Sequence, residues 1–160
     1  MFTDRYDNPI ATTSADAAEA YVSATDILLA GQPGMIAAFQ EVTEQDPDFA
    51  LGWVGLARAH QTFGNMPDAL AAMQKAQAVT RLSTEREASH IDVFALLICG
   101  SAKQAYPAIR AHVESYPRDA IVAQTCSSVF GLIGFSGQPG REAETLAFCA
   151  NLVPHYGDDW

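Results

Sequence analysis

Histidines and carboxylates are the side chains of this sequence whose spacing suits chemistry. An imidazole nitrogen binds metals and exchanges a proton near neutral pH. Glu87 and His90 lie three positions apart, so they share one face of a helix. Helical pairs of this kind bind metals in bundles, but such sites need a second pair, which the sequence lacks. We therefore predict no metal and no cofactor here.

The other three histidines are interpreted as structural residues. His60 follows Trp53 by seven positions on one helical face, so we expect a packed or partly exposed ring. We place His112 on the surface, and His155 in a loop where it makes a structural hydrogen bond. None of these rings is predicted to be a ligand or a proton carrier.

Glycines recur every three positions near the end of the chain, as they do in some phosphate-binding loops. They are Gly131, Gly134, Gly137 and Gly140. A phosphate loop needs a Gly-Lys-Ser/Thr or a GxGxxG motif, and neither is present. Gln138 stands where the nucleophile elbow of a hydrolase needs its last glycine. The sequence therefore predicts a plain loop over Gly134–Gly140 and a non-enzymatic protein.

The elements that carry these residues are predicted to be paired helices. Small, aromatic and bulky apolar residues follow the spacing of a tetratricopeptide repeat: Trp53, Leu56, Ala57, Gly64, Ala69, Met73 and Ala76. Ala57 and Ala69 are small enough for two helix axes to approach closely. Gly64 suits the left-handed backbone that ends a helix.

Cap and turn residues divide the chain into eight predicted helices. Ser14 and Asp119 are expected to cap the first and seventh, and Thr84 with Glu87 has the spacing of a capping box for the fifth. Pro154 is expected to close the eighth. The predicted helices cover about residues 15–30, 33–46, 49–63, 67–80, 85–100, 102–116, 120–133 and 141–152.

The predicted fold class is therefore all-α, a TPR-like right-handed α-solenoid of about four helical hairpins. Residues 1–13 form an N-terminal arm, and residues 14–160 form the repeat domain. Trp160 falls where the first aromatic of another repeat is expected, with Asp158 and Asp159 as its cap and first turn. We expect the domain to continue into that repeat.

Composition limits the classes of partner. The chain has 160 residues and a net charge of −10, and Lys75 and Lys103 are its two lysines. A nucleic-acid binder needs clustered cations to displace counterions from phosphate, so we predict no nucleic-acid partner. Anionic membranes are disfavoured for the same reason. A basic or neutral protein partner is the easier expectation.

Cysteine usage suggests a compartment. Cys99, Cys126 and Cys149 are odd in number, far apart and outside any CxxC motif. We interpret them as reduced packing residues of a cytoplasmic protein. The polar N-terminus lacks the apolar core of a signal peptide, and the longest apolar run, 93–99, is too short to span a bilayer.

Short motifs along the whole chain, in a specific order, resemble one family. They are Tyr6-Asp7-Asn8-Pro9, Leu28-Leu29-Ala30-Gly31, Asp46-Pro47-Asp48-Phe49-Ala50, Leu82-Ser83-Thr84-Glu85-Arg86-Glu87 with His90, Tyr116-Pro117-Arg118-Asp119-Ala120, Gly134-Phe135-Ser136-Gly137 and Pro154-His155-Tyr156-Gly157-Asp158-Asp159-Trp160. Together they resemble the N-terminal part of the tetratricopeptide repeat protein thirty-eight family, whose members continue past the last motif. The resemblance implies an α-helical solenoid, and it carries over no catalytic or binding residue.

A groove is the predicted functional surface, because the first helix of each hairpin lines the concave side in this repeat class. Its residues would be Val54, Arg58, Gln61, Gln124 and Ser128. We predict a protein-binding or scaffold module whose groove takes a helix or an extended segment of a protein or peptide partner.

Two alternatives remain open. One is a small-molecule-binding or enzymatic protein whose site is completed by further C-terminal repeats, with His155, Tyr156, Asp158 and Asp159 as the residues that suggest it. The other is self-association through the C-terminal end near Trp160, where an uncovered aromatic residue favours contact with a second copy.

Overall fold

The structure is a computed structural model that describes residues 1–80 and 83–157. Over those residues the chain forms eight α-helices, a short 3₁₀ helix at Gly134–Ser136 and two strands of two residues each. The prediction of an all-α fold is confirmed. The proposed roles of Asp158, Asp159 and Trp160 concern residues outside the described range.

The elements follow one another with short connections. The strands are β1 (Phe2–Thr3) and β2 (Pro9–Ile10), and the helices are α1 (Ala15–Leu29), α2 (Met35–Gln45), α3 (Ala50–Thr62), α4 (Met66–Ala78), α5 (Glu85–Ile98), α6 (Ala102–Ser115), α7 (Ala120–Gln124) and α8 (Arg141–Tyr156). None of the helices in the described residues is long and apolar enough to cross a membrane.

The helix starts lie where the cap residues predict them. The Ser14 hydroxyl accepts a hydrogen bond from the Ala17 backbone N–H at 3.1 Å. Thr84 and Glu87 form the reciprocal capping box at the start of α5. Each cap satisfies a backbone N–H that has no partner within its helix. The glycine after α3, Gly64, has the predicted positive φ of 73°.

Consecutive helices pack against each other from α1 to α7, and α3 also contacts α5. Aromatic rings fill the centre of the first half, where Tyr21 lies edge-on to both Phe39 and Phe49. The ring of Phe39 occupies the space beside Gly55, where an added Cβ would lie 2.0 Å from a ring carbon. Gly55 therefore sets how closely α2 and α3 approach. Contacts between α1 and α7 bring the first and seventh helices together.

The predicted seventh helix is wrong in length. It was expected to run to Ile133, but α7 ends at Gln124. The chain then folds back, and the Leu132 N–H donates to the Thr125 carbonyl at 2.9 Å. Gly131 lies so close to that carbonyl that a Cβ would approach it to 2.6 Å. This reversal is a tertiary feature that helical spacing does not reveal.

The predicted end of the eighth helix is also wrong. Pro154 was expected to close it, yet α8 continues through Pro154 to Tyr156. A proline in the last turn removes one hydrogen bond, and the helix end gains another partner. Arg118 donates from Nη1 to the His155 carbonyl at 2.7 Å. This contact places His155 at a helix end rather than in the predicted loop.

The N-terminal arm is folded onto the helices. Strands β1 and β2 pair in antiparallel fashion, with Phe2 opposite Ile10, and Ile10 is buried. Arg118 donates to the Tyr6 carbonyl at 2.8 Å, and Asn8 donates to the Arg118 carbonyl at 3.0 Å. The arm therefore belongs to the packed structure, beside the start of α7.

Candidate functional site

Three of the predicted groove residues meet where α3, α5 and α7 come together. Arg58 donates from Nη1 to the Gln61 side-chain oxygen at 2.8 Å and from Nη2 to the Gln124 side-chain oxygen at 3.2 Å. Gln61 in turn donates to the Leu97 carbonyl at 3.2 Å. Two neutral amide groups thus hold the guanidinium in one orientation.

The charge of Arg58 has no opposite charge beside it among the described residues. Its two terminal nitrogens donate to amide oxygens, and its buried Nε has no hydrogen-bond partner in residues 1–80 and 83–157. Burial lowers the pKa of Arg58, and no carboxylate of the described part of the chain counteracts this effect. A desolvated guanidinium without a counter-ion is unfavourable, so this position favours an anionic ligand.

A pocket of about 180 Å³ lies beside Arg58. Phe130 and Phe135 line it, and their rings lie 6.0 Å apart between centroids. These two side chains are 78% and 73% exposed, which is unusual for phenylalanine. The pocket therefore combines one cation with two exposed aromatic rings.

The other two predicted groove residues lie elsewhere. Val54 is fully buried, at 0% exposure, because α3 is packed against α2, α4 and α5 and has little free surface. Ser128 is half-buried in the turn after α7 rather than on that helix. Its carbonyl accepts a hydrogen bond from the Gly131 N–H at 2.9 Å. Neither side chain lines the pocket beside Arg58.

A second site, which the sequence did not predict, is a buried cluster centred on Asp119. One oxygen of this carboxylate, Oδ2, lies 2.6 Å from Arg86 Nη1, 2.9 Å from His90 Nδ1 and 3.2 Å from His112 Nε2. Arg86 and His90 come from α5, His112 comes from α6, and Asp119 precedes α7. A single carboxylate oxygen therefore joins three segments.

The environment of the cluster favours the ionised form of Asp119. Burial alone would raise the pKa of this carboxyl, but His90, His112 and Arg86 together hold the pKa well below its usual value. The second oxygen, Oδ1, faces the Val122 N–H at 3.4 Å. Asp119 is thus a buried carboxylate held in its charged form by its neighbours.

The prediction that His112 lies on the surface is wrong, since the residue is 2% exposed. Its Nε2 faces Asp119, and its Nδ1 lies 2.8 Å from the Ser89 hydroxyl. The proximity of His112 to His90 could not be predicted from the sequence, because the two residues are 22 positions apart and only tertiary packing brings them together. The one sequence signal for the cluster is the four-residue spacing of Arg86 and His90, which places both side chains on one face of α5.

The cluster also fastens the N-terminal arm. Arg86 donates from Nη2 to the Pro9 carbonyl at 3.0 Å. Glu87 is buried, and its carboxylate accepts hydrogen bonds from the backbone N–H groups of Ala11 at 2.9 Å and Thr84 at 2.7 Å. Within the described residues, the terminal nitrogens of Arg86 and the carboxylates of Glu87 and Asp119 are paired, whereas the buried Arg86 Nε has no hydrogen-bond partner.

Ser89, His112 and Asp119 are joined in the order of a catalytic triad, yet the surroundings differ from those of a hydrolase. Ser89 lies in the middle of α5, where the backbone N–H groups are used within the helix. Acyl transfer needs free N–H groups that face the reacting oxygen beside the nucleophile. The contacts of the described residues therefore give no support to hydrolysis at Ser89.

Comparison of the chain with protein-family models, with curated proteins and with solved structures gave no match. The resemblance to the tetratricopeptide repeat protein thirty-eight family therefore stays a prediction from sequence motifs.

Proposed function

We propose that this chain is a non-enzymatic, tetratricopeptide-like binding module whose site is the pocket beside Arg58. The observation that carries the proposal is the half-buried guanidinium, which has amide partners but no carboxylate partner among the described residues. Desolvating this charge does not stabilise the fold, so a protein without a ligand at this position would gain nothing from it. The helical pairing from α1 to α6 suits a solenoid, which is part of the proposal.

The proposed ligand is a segment of a partner protein that presents an acidic side chain next to an apolar one. A carboxylate would accept hydrogen bonds from Arg58, and the apolar neighbour would cover Phe130 and Phe135. The net charge of −10 repels acidic proteins at long range. We therefore expect a neutral or basic protein that offers this one acidic side chain.

The experiment is selection of peptides from a display library on the intact chain, followed by affinity measurement with variants. Arg58→Gln removes the pocket charge, and the matched control Arg141→Gln removes an exposed charge whose partner is the neighbouring Glu142. Selected peptides should share the acidic and apolar pair. Their affinity should fall at least about tenfold with Arg58→Gln, the usual effect of losing a hydrogen bond to a charged group, and stay unchanged with Arg141→Gln.

Peptides that bind both variants equally would contradict this assignment. Both variants should keep the wild-type circular dichroism spectrum. Arg58→Gln also removes the hydrogen bonds to Gln61 and Gln124, so its urea midpoint is measured and peptide affinities are compared where both variants are fully folded. A loss of affinity without a loss of structure therefore reports on the pocket itself.

Small-molecule binding is the second candidate, and one observation favours it. An apolar pocket of about 300 Å³ lies between the arm, the end of α1, and helices α7 and α8, lined in part by Leu29, Ala123, Leu152 and Tyr156. The buried Tyr156 hydroxyl has no hydrogen-bond partner among the described residues. Screening of small apolar acceptors by NMR tests this candidate. Fragments that shift Tyr156 signals would support it, and their absence would count against it.

A further inference from the structure

We propose that His90, His112 and Asp119 form a buried binding site for one divalent transition-metal ion of the zinc class. Each residue offers one ligand atom, and the three atoms lie within 4.8 Å of one another. Two imidazoles and one carboxylate are also the protein ligands of many zinc centres that keep a fourth position for water. All three residues are buried, so a bound ion would be shielded from bulk water.

The spacing of the ligand atoms suits such an ion. Zinc lies about 2.0–2.1 Å from nitrogen and oxygen ligands, so neighbouring ligands of a tetrahedral site are about 3.3 Å apart. Asp119 Oδ2 lies 2.9 Å from His90 Nδ1 and 3.2 Å from His112 Nε2. The two imidazole nitrogens lie within 4.8 Å of each other, so all three ligand atoms can be brought around one ion by side-chain rotation.

Outer contacts already hold the ligands in place. The Ser89 hydroxyl lies 2.8 Å from His112 Nδ1, the ring nitrogen that faces away from Asp119. The Val122 N–H holds the Asp119 oxygen Oδ1, which leaves Oδ2 directed at the histidines. Metal sites commonly fix their imidazoles and carboxylates by second contacts of this kind.

The proton balance is simple for neutral imidazoles. In the metal-free cluster, a neutral His90 protonated on Nδ1 and a neutral His112 protonated on Nε2 would each donate to Asp119. On metal binding the His112 proton resides on Nδ1 and donates to Ser89, and the His90 proton resides on Nε2. Each neutral ring keeps one proton, so its other nitrogen gains a free lone pair for the ion.

The charges near the site also permit a cation. Arg86 hydrogen-bonds to Asp119 Oδ2, but a carboxylate oxygen has two lone pairs and retains one for a metal. The positive charge of Arg86 is paired with Asp119, so the guanidinium and a bound ion would share that carboxylate, and buried Glu87 supplies a second negative charge next to Arg86 in the chain. The remaining charge of the ligand set is the single negative charge of Asp119, as in a two-histidine, one-carboxylate centre.

The ligand types indicate which ions to test. Imidazole suits zinc, cobalt and iron, whereas magnesium and calcium prefer sites made of oxygen atoms. Because the cluster is enclosed, the chain should be unfolded with a chelator, freed of the chelator, and refolded with cobalt(II) alone. Cobalt(II) reports tetrahedral coordination through its visible d–d absorption.

The expected result is one cobalt ion per chain with tetrahedral d–d bands, displaced by zinc. His112→Gln should abolish the bands, and His60→Gln, which removes a histidine outside the cluster, should leave them intact. Refolding of each variant is checked by circular dichroism. If His112→Gln does not fold, Ser89→Ala is used as the test variant instead. Because it removes the hydroxyl beside His112 Nδ1, we expect the metal affinity to fall about 10–100-fold.

Three results would overturn the site. The first is the absence of d–d bands in the wild type, which would make the cluster a hydrogen-bond network only. The second is near-ultraviolet thiolate absorption, which would place the metal on cysteines. The third is an affinity unchanged by the cluster variant used, His112→Gln or Ser89→Ala.

Discussion

Asp119 is a single side chain that holds three segments of the chain together. A single carboxylate oxygen faces two histidines and an arginine, and all four residues are buried. Burying these groups is unfavourable for each alone and tolerable only because they meet. Removal of the central charge should therefore affect stability more than removal of any surface charge.

Asp119→Asn should lower the free energy of unfolding by about 3–5 kcal/mol, because Arg86 would stay buried without its counter-charge. The measurement is urea unfolding at neutral pH with chelator present. Asp92→Asn is the matched control, since Asp92 is exposed on α5, and its effect should stay within about 0.5 kcal/mol. Equal effects of the two substitutions would contradict the central role of Asp119.

Stability should depend on the titration of Asp119 at acid pH. Its pKa is lower in the folded chain than in the unfolded chain, where it is about 3.9. The contribution is therefore present above the unfolded pKa and is lost as pH falls through the folded pKa, from about pH 5 downwards. Urea midpoints of the wild type and of Asp119→Asn should converge as pH falls. A constant difference down to pH 3 would contradict this sign.

The buried and exposed cysteines should differ in their rates of alkylation. Burial raises the pKa of Cys126 to about 11, so little thiolate forms at neutral pH, whereas Cys99 is exposed. Iodoacetamide followed by mass spectrometry should label Cys99 first and Cys126 only on unfolding. Labelling of both thiols at similar rates would show that the segment directly after α7 opens readily.

Helices differ in how far local sequence determines them. The capping box at Thr84 and the Ser14 cap act within one turn, so sequence alone located the starts of α5 and α1. The end of α7 depends on a reversal at Thr125 and Gly131, which only tertiary packing reveals. Elements with local signals were therefore predictable, and this one was not.

The candidate sites likewise differ in how far local sequence predicts them. Arg58, Gln61 and Gln124 were predicted from helix faces and do meet, since Arg58 hydrogen-bonds to both glutamines. Val54 was assigned to the same surface, but its side chain is fully buried. The contact of His90, His112 and Asp119 joins three segments, and no local spacing encodes it.

Gly55→Ala tests the approach of α2 to α3. Alanine favours a helix by about 1 kcal/mol over glycine, but its Cβ would lie 2.0 Å from the Phe39 ring. Overlap in a packed core typically destabilises by about 1–3 kcal/mol, so we expect a net loss in urea unfolding.

Phe39→Leu provides the matching control for that prediction. A smaller side chain leaves room for the added methyl group, so the double variant should be more stable than the sum of the single effects predicts. Simple additivity would show that the two residues do not limit the helix spacing.

At the scale of the whole molecule, several large apolar side chains are exposed on a strongly acidic chain. Val129, which precedes Phe130 in the chain, and Leu146 on α8 are both exposed, while the chain carries ten net negative charges. Such a charge keeps copies apart and limits the range of partners, so recognition must be local. The folded arm and the buried cluster hold the helices that frame the pocket.

The most direct test of the proposed function is the NMR signal of the Arg58 side chain during titration with a short peptide that carries glutamate between two leucines. The same peptide with glutamine in place of glutamate is the control. We predict that the glutamate peptide shifts the Arg58 Nε–H signal to saturation and that the glutamine peptide does not. Equal shifts with both peptides, or no shift with either, would contradict an anion-binding groove at Arg58.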